Sequence, residues 1–142
     1  MNDEPLMMVR VTRDFEAPPE DVFDAWLDPQ KARRFLFATP EGEMAEVEIN
    51  PRAEGKFRIV ERRGGEDVEH VGEYVIIDRP RRLGFRFAVP KYASQTTRVT
   101  IDIVPRGAGC EVTLTHLSVP AEYAERTQAG WAGMLDALAA AL

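Results

Sequence analysis

The chain has 142 residues, 44% of them hydrophobic and 30% charged, with 24 acids against 18 bases and a formal net charge of −6. That size fits one domain, taken as residues 1–142, folded around a single core, and the composition is that of an ordered globular chain. The acidic balance disfavours nucleic acid and acidic membrane surfaces as partners, and no apolar run approaches the length of a membrane-spanning helix, about 20 residues.

In chain order, Met7 to Glu16 alternates Val9, Val11 and Phe15 against Arg10, Thr12 and Asp14, the period of a half-buried first strand. The segment APPEDVFDAWLDP then changes period. Prolines at its entry, acids in its first turn and Val22, Phe23, Trp26 and Leu27 at helical spacing predict a helix that Pro29 stops. A second short helix is predicted over Gln30 to Phe35, followed by a loop from Thr39 to Gly42.

Hairpins follow. Phe57 and Ile59 alternate with Lys56, Arg58 and Arg62; after Gly64-Gly65, a favoured two-residue turn, Val68, His70, Gly72, Tyr74 and Ile76 alternate with Glu69 and Glu73. That turn pairs Ile59 with His70, Phe57 with Gly72 and Gly55 with Tyr74, all on one face, with an aromatic opposite each glycine. Beyond a turn at Asp78 to Arg81, Leu83, Phe85, Phe87 and Val89 form an apolar face from which Arg86 turns away. The last hairpin pairs Val99, Ile101 and Ile103 with His116, Leu114 and Val112 across PRGAG, and Val47 with Ile49 completes seven predicted strands.

The C-terminal segment returns to a helical period. Ala124, Thr127, Trp131, Met134, Leu135, Leu138 and Leu142 fall on one side, and Glu122, Glu125, Arg126 and Asp136 on the other. Pro120 suits a first helical turn, and Glu122 and Glu125 complement the positive end of the dipole. The helix is therefore predicted to start near Ala121 and run about 33 Å at about 1.5 Å per residue. A stripe that long needs a sheet to cover it. The expected fold class is α+β: a strongly curved antiparallel sheet of seven strands gripping the C-terminal helix, with two short helices between the first two strands.

On this helix-grip pattern the motifs APPEDVFDAWLDP, EGKFRI, GEY followed by DRP, GCEVTLTH, and AGW with LDAL resemble the activator of heat-shock-protein-90 ATPase (Aha-type) family, within the START-like, SRPBCC superfamily. The resemblance covers nearly the whole chain. Two departures stand out: the family often has a tryptophan at the end of the second helix where this chain has Phe35, and a Gly-Gly pair where it has Glu54-Gly55. The resemblance implies an internal hydrophobic cavity between sheet and long helix, used across the superfamily for lipids, sterols, polyketides and other apolar molecules.

The residues speak to that cavity independently. The inward face of the helix is heavy after Trp131, with Met134, Leu135, Leu138 and Leu142, and light before it, with Ala124, Thr127 and Gln128 beside Gly130. A void is expected over the light half, unless Phe57, Tyr74, Phe85 and Phe87 fill it by ordinary close packing. Cavity candidates are Trp26, Phe35, Phe57, Tyr74, Phe85, Phe87, Thr127, Gln128, Trp131 and Leu135, with His70 and His116 among the groups able to orient a ligand.

Glu61 and His70 come diagonally opposite across the Gly64-Gly65 hairpin, where a carboxylate beside an imidazole can move protons. Without a nucleophile or third partner they read more simply as a polar pair at the open end of the sheet. His116 reads as a buried histidine holding the junction of last strand and helix. No catalytic residue is assigned. Two isolated histidines and a single cysteine, Cys110, give no metal site and no disulfide, and the lack of GxGxxG, P-loop and GxSxG motifs leaves no call for a cofactor. The N-terminal MNDEPLMMV lacks the basic and apolar regions of a signal peptide, so a cytoplasmic protein, monomer or homodimer, is expected.

Three functions follow as expectations. The leading one is binding of a hydrophobic or aromatic small molecule in the cavity. Next is a chaperone-binding accessory role, which the resemblance names, although eukaryotic activators of this kind carry an additional N-terminal domain that this chain is read as lacking. A cyclase or dehydratase, which would need Glu61, His70 or His116 to act, ranks last.

Overall fold

In the computed structural model, which describes residues 5–92 and 95–142, the elements are β1 (Leu6–Phe15), α1 (Pro19–Leu27), α2 (Pro29–Ala32), β2 (Glu43–Ile49), β3 (Lys56–Arg63), β4 (Glu66–Asp78), β5 (Arg82–Ala88), β6 (Thr97–Arg106), β7 (Gly109–Pro120) and α3 (Ala121–Ala141). The seven strands form one antiparallel sheet in the order β1-β7-β6-β5-β4-β3-β2. From β2 onward each strand pairs with its sequence neighbour. The chain crosses from β1 at one edge to β2 at the other through α1 and α2, and β1 is left to close against β7. Register shifts interrupt the ladders between Met7 and Val9, Met44 and Glu46, and Tyr74 and Ile76. Each adds twist and bend, which curves the sheet around α3 in the helix-grip arrangement.

The hairpin arithmetic holds in detail. Ile59 pairs with His70 and Phe57 with Gly72. Gly55 and Tyr74 are joined by a backbone hydrogen bond, Tyr74 N to Gly55 O, of 2.9 Å. Gly64 and Gly65 both take positive φ, 55° and 84°, as a primed turn matched to the strands' own twist requires. At Gly72 the reason for glycine is close approach: a Cβ there would lie 2.3 Å from the Phe57 ring, which covers the backbone in its place. Across the last hairpin Val99, Ile101 and Ile103 pair with His116, Leu114 and Val112.

The helices depart from the sequence pattern at two places. The predicted second helix over Gln30 to Phe35 is regular only over Pro29–Ala32, capped by the Asp28 side chain accepting from Gln30 N. It then tightens into turns, because Phe35, Leu36 and Phe37 are all buried and no straight helix points three consecutive side chains inward. Phe37 bends the chain with a φ of 56°, a region costly for a bulky side chain and held here by its packing. The second departure is Leu142. Periodicity places it on the inward face, but it follows the end of α3 and is 41% exposed.

Along α3 burial is uneven. Trp131, Leu135 and Leu138 are buried, while between Ala121 and Gly130 no residue is. An Arg13–Asp136 ion pair of 2.8 Å ties the buried half to β1. The sheet side of the core is aromatic, with Phe57, Tyr74 and Phe85 mutually packed at centroid distances of 5.4 to 6.4 Å. Among the described residues, no helix is long and apolar enough to cross a membrane.

Candidate functional site

Where α3 presents small side chains, the sheet and helix separate. A pocket of about 620 Å³ opens there. Its floor is the end of β5 and the residue after it, with Phe87, Ala88 and Val89; its wall is Thr97 at the start of β6 and His116 in β7. The roof is the first turns of α3, with Tyr123, Arg126 and Thr127, and Arg63 at the end of β3 stands at the side. The volume lies within the roughly 300–1,000 Å³ usual for small-molecule sites.

The boundary between pocket and packed core is a hydrogen-bonded chain whose direction is determined. The Trp131 indole N–H, which can only donate, lies 3.0 Å from His116 Nδ1, so that nitrogen carries no proton and accepts. The imidazole proton therefore sits on Nε2 and is donated to Thr97 Oγ1 at 2.8 Å. Burial lowers the His116 pKa to about 4, in keeping with a neutral ring at physiological pH. With its oxygen accepting from His116, the Thr97 hydroxyl has its own proton to give, and Thr97 lines the pocket.

Behind Phe87 and Trp131, Phe37 is buried in the core. Its ring stacks on His70 with centroids 4.3 Å apart and 9° between planes, and also meets Phe57, Phe87 and Trp131. Its backbone N–H points at the Met134 sulfur, 3.3 Å away, so the loop after α2 is pinned to the underside of α3. His70 is 4% exposed, its Nδ1 lies 3.3 Å from the Ile59 carbonyl oxygen, and burial lowers its pKa to about 4. Glu61, 1% exposed, accepts from the Thr39 amide, from Thr39 Oγ1 at 2.8 Å and from Arg63 Nε. The diagonal Glu61–His70 placement is present, but it is buried rather than at an open end. The hydrogen bonds of Glu61 fasten the loop to β3, and that of His70 goes to the backbone.

Of the sequence candidates, Phe87, His116 and Thr127 line the pocket. Trp131 stands directly behind His116. Phe57, Tyr74, Phe85, His70 and Leu135 belong to the buried core, and burial raises the Tyr74 pKa well above its ordinary value. Trp26 and Phe35 are buried edge to face, 5.0 Å apart, under α1 and α2, and Gln128 faces solvent. The Trp26 indole N–H has no hydrogen-bond partner among the described residues. Periodicity did not mark Arg63, Tyr92, Thr97, Val119, Tyr123 and Arg126 as pocket residues. One signal was available for Thr97: it is the register partner of Phe87 across β5 and β6. Among the described residues no group of His, Cys, Asp and Glu is placed to hold a metal ion, and Cys110 is buried, its thiol pKa raised by desolvation.

Residues 16–142 match the family described as Activator of Hsp90 ATPase homolog 1-like protein. The chain belongs to that family. Its fold recurs in solved structures of low sequence identity. A protein from Chromobacterium violaceum superposes with a TM-score of 0.86 at 23% identity, covering 94% of each chain. A protein of unknown function from Staphylococcus aureus gives 0.86 at 17% identity, covering 98% of this chain and 94% of that one. An AHSA1-like protein from Aeromonas hydrophila, solved by NMR, gives 0.81 at 21%, covering 95% and 91%. At these identities the likeness is one of fold. No curated protein matches the chain in sequence.

Proposed function

We propose that the protein binds a hydrophobic or aromatic small molecule in the pocket between the end of β5 and the first half of α3. The observation that carries this is the pairing of a pocket of about 620 Å³ with a helix whose first ten residues include no fully buried side chain, although the same helix buries Trp131, Leu135 and Leu138 further on. Close packing is the rule in protein interiors, so a void of this size set against Phe87, Ala88, Val89 and Val119 is surface kept available. Membership of a family with the helix-grip fold supports the same reading. The neutral His116–Thr97 pair gives it a hydrogen-bonding wall. A thermal-shift screen with lipids and aromatic compounds tests it. A binder raises the melting temperature with the logarithm of its excess over Kd and alters the emission of Trp131, one bond away from the pocket wall through His116. A broad library without a shift would sink the proposal.

The family description favours a second reading, an accessory to a chaperone ATPase. Stoichiometric addition to a cognate Hsp90-type ATPase decides it: several-fold stimulation would place chaperone binding first, and an unchanged rate leaves the pocket as the functional feature.

A further inference from the structure

The pocket's charged groups share one sign. In a chain of net charge −6, the residues lining it include Arg63 and Arg126 and, among the described residues, no Asp or Glu. Arg63 is engaged through Nε by the buried carboxylate of Glu61. Arg126 is different. Among the described residues no carboxylate lies within ion-pair distance of it, and its guanidinium carbon sits 5.9 Å from the centroid of the Tyr123 ring, stacked so that its edge donors are left for another acceptor. The hydrogen-bonded chain delivers a second donor. Because Trp131 can only donate, His116 passes the direction on, and the Thr97 hydroxyl, accepting from His116, keeps its proton to donate. The amino end of α3, whose cap residue Pro120 also lines the pocket, adds the positive end of the helix dipole to the same region.

We infer that the ligand is an amphipathic carboxylic acid, its carboxylate set against Arg126 with a hydrogen bond from the Thr97 hydroxyl, and its apolar body against Phe87, Ala88, Val89 and Val119. This rests on the pocket's being a ligand site and specifies the chemistry it selects. With no carboxylate in the described lining to oppose it, a guanidinium free of ion pairs beside apolar surface favours an organic anion over a neutral molecule of the same shape. Bidentate carboxylate recognition also explains why the helix's polar face carries an arginine where a lysine would serve solubility equally well.

The test is a matched set of probes on the intact protein by isothermal titration: octanoate, decanoate and 2-naphthoate against 1-octanol, 1-decanol and 2-naphthalenemethanol. The acid of at least one pair is expected to bind about tenfold more tightly than its alcohol, with an advantage that shrinks as salt is raised, because Arg126 is exposed. In Arg126→Gln the ratio of acid to alcohol affinity should collapse towards unity, and in Thr97→Val acid affinity should fall a few-fold. Unchanged melting temperatures of the free variants show that the fold is intact. Equal affinity for acid and alcohol in the parent protein, or a preference that survives Arg126→Gln, overturns the inference and leaves the pocket reading standing. If neither series binds and the wider screen is also silent, both fall together.

Discussion

The two halves of α3 share one helix and one sheet, yet they do opposite things. From Trp131 onward the helix buries Trp131, Leu135 and Leu138 against the sheet and is tied to β1 by Asp136. Before Trp131 it has no fully buried residue and roofs a pocket. A continuous stripe of large apolar residues would have closed the grip along its whole length. Placing Ala124 and Thr127 where Leu or Phe would fit leaves the second half to carry the stability, so the first half need not be packed. Trp131 is the hinge of this division, packed on one side and hydrogen-bonded towards the pocket on the other.

The largest effect should come from breaking the packed half. Trp131→Ala removes the biggest side chain α3 buries and leaves His116 Nδ1 without its donor, so it should cost about 3–5 kcal/mol in urea denaturation. A loss below about 1 kcal/mol would mean that the second half is no tighter than the first.

Acid should act next, through the two buried histidines. Both have folded-state pKa values of about 4 against an ordinary 6.5. Above 6.5 they are neutral folded and unfolded, and no stability depends on them. As pH falls from 6.5 towards 4 the unfolded chain takes up protons the folded chain refuses, so stability drops, by about 3 kcal/mol per histidine, and levels off once both states are protonated. Denaturation midpoints measured across that window should fall accordingly, and His70→Phe should remove part of the slope. A flat profile would show that neither ring is held neutral.

Trp131→Phe separates volume from polarity at the hinge. It keeps an aromatic ring but removes the one donor to His116 Nδ1 among the described residues, and should cost about 1–2 kcal/mol while altering the imidazole nitrogen signals in NMR. Unchanged signals would mean that the indole does not set the tautomer from which the donor character of Thr97 follows.

How much of this the amino-acid sequence showed depends on which interactions set each feature. The strand registers were legible because a two-residue loop at Gly64-Gly65 and a side-chain period of two leave only one pairing that keeps Ile59, His70, Phe57 and Gly72 on one face. The unequal halves of α3 were equally plain, since side-chain volume along a helical face is a local property. The pocket's rim was not. A helical wheel assigns Arg126 to the polar side by its mean direction, but Tyr123 and Arg126 line the pocket because they lie in the first turns of α3, just after β7 ends at Pro120. Phe37 was invisible for a different reason. Nothing in the local pattern marks a loop phenylalanine with positive φ as the residue on which His70, Phe57, Phe87 and Trp131 converge. The aromatic face of β3 to β5 was read correctly as a face, but periodicity carries no depth, and Phe57, Tyr74 and Phe85 lie beneath the pocket rather than on its surface.

The smallest expected effect is also the most discriminating. Thr127 is half-buried and faces the pocket, so in Thr127→Phe the new ring has unfilled space to enter. Inserting a ring into a close-packed core forces neighbours off their rotamers and costs roughly 1–3 kcal/mol, whereas in a cavity the same ring gains contacts and is accommodated within about 1 kcal/mol. Ala124→Leu, one turn earlier on the same face, should behave alike. Neither change touches the packed half, so slow hydrogen exchange over Trp131 to Leu138 should persist in both. What should be lost is ligand binding, because the ring occupies the volume between Thr127 and Phe87 that the apolar body of a ligand would take. Strong destabilisation by either substitution would show that the first half of α3 is as closely packed as the second, and that the division of labour along the helix does not exist in solution.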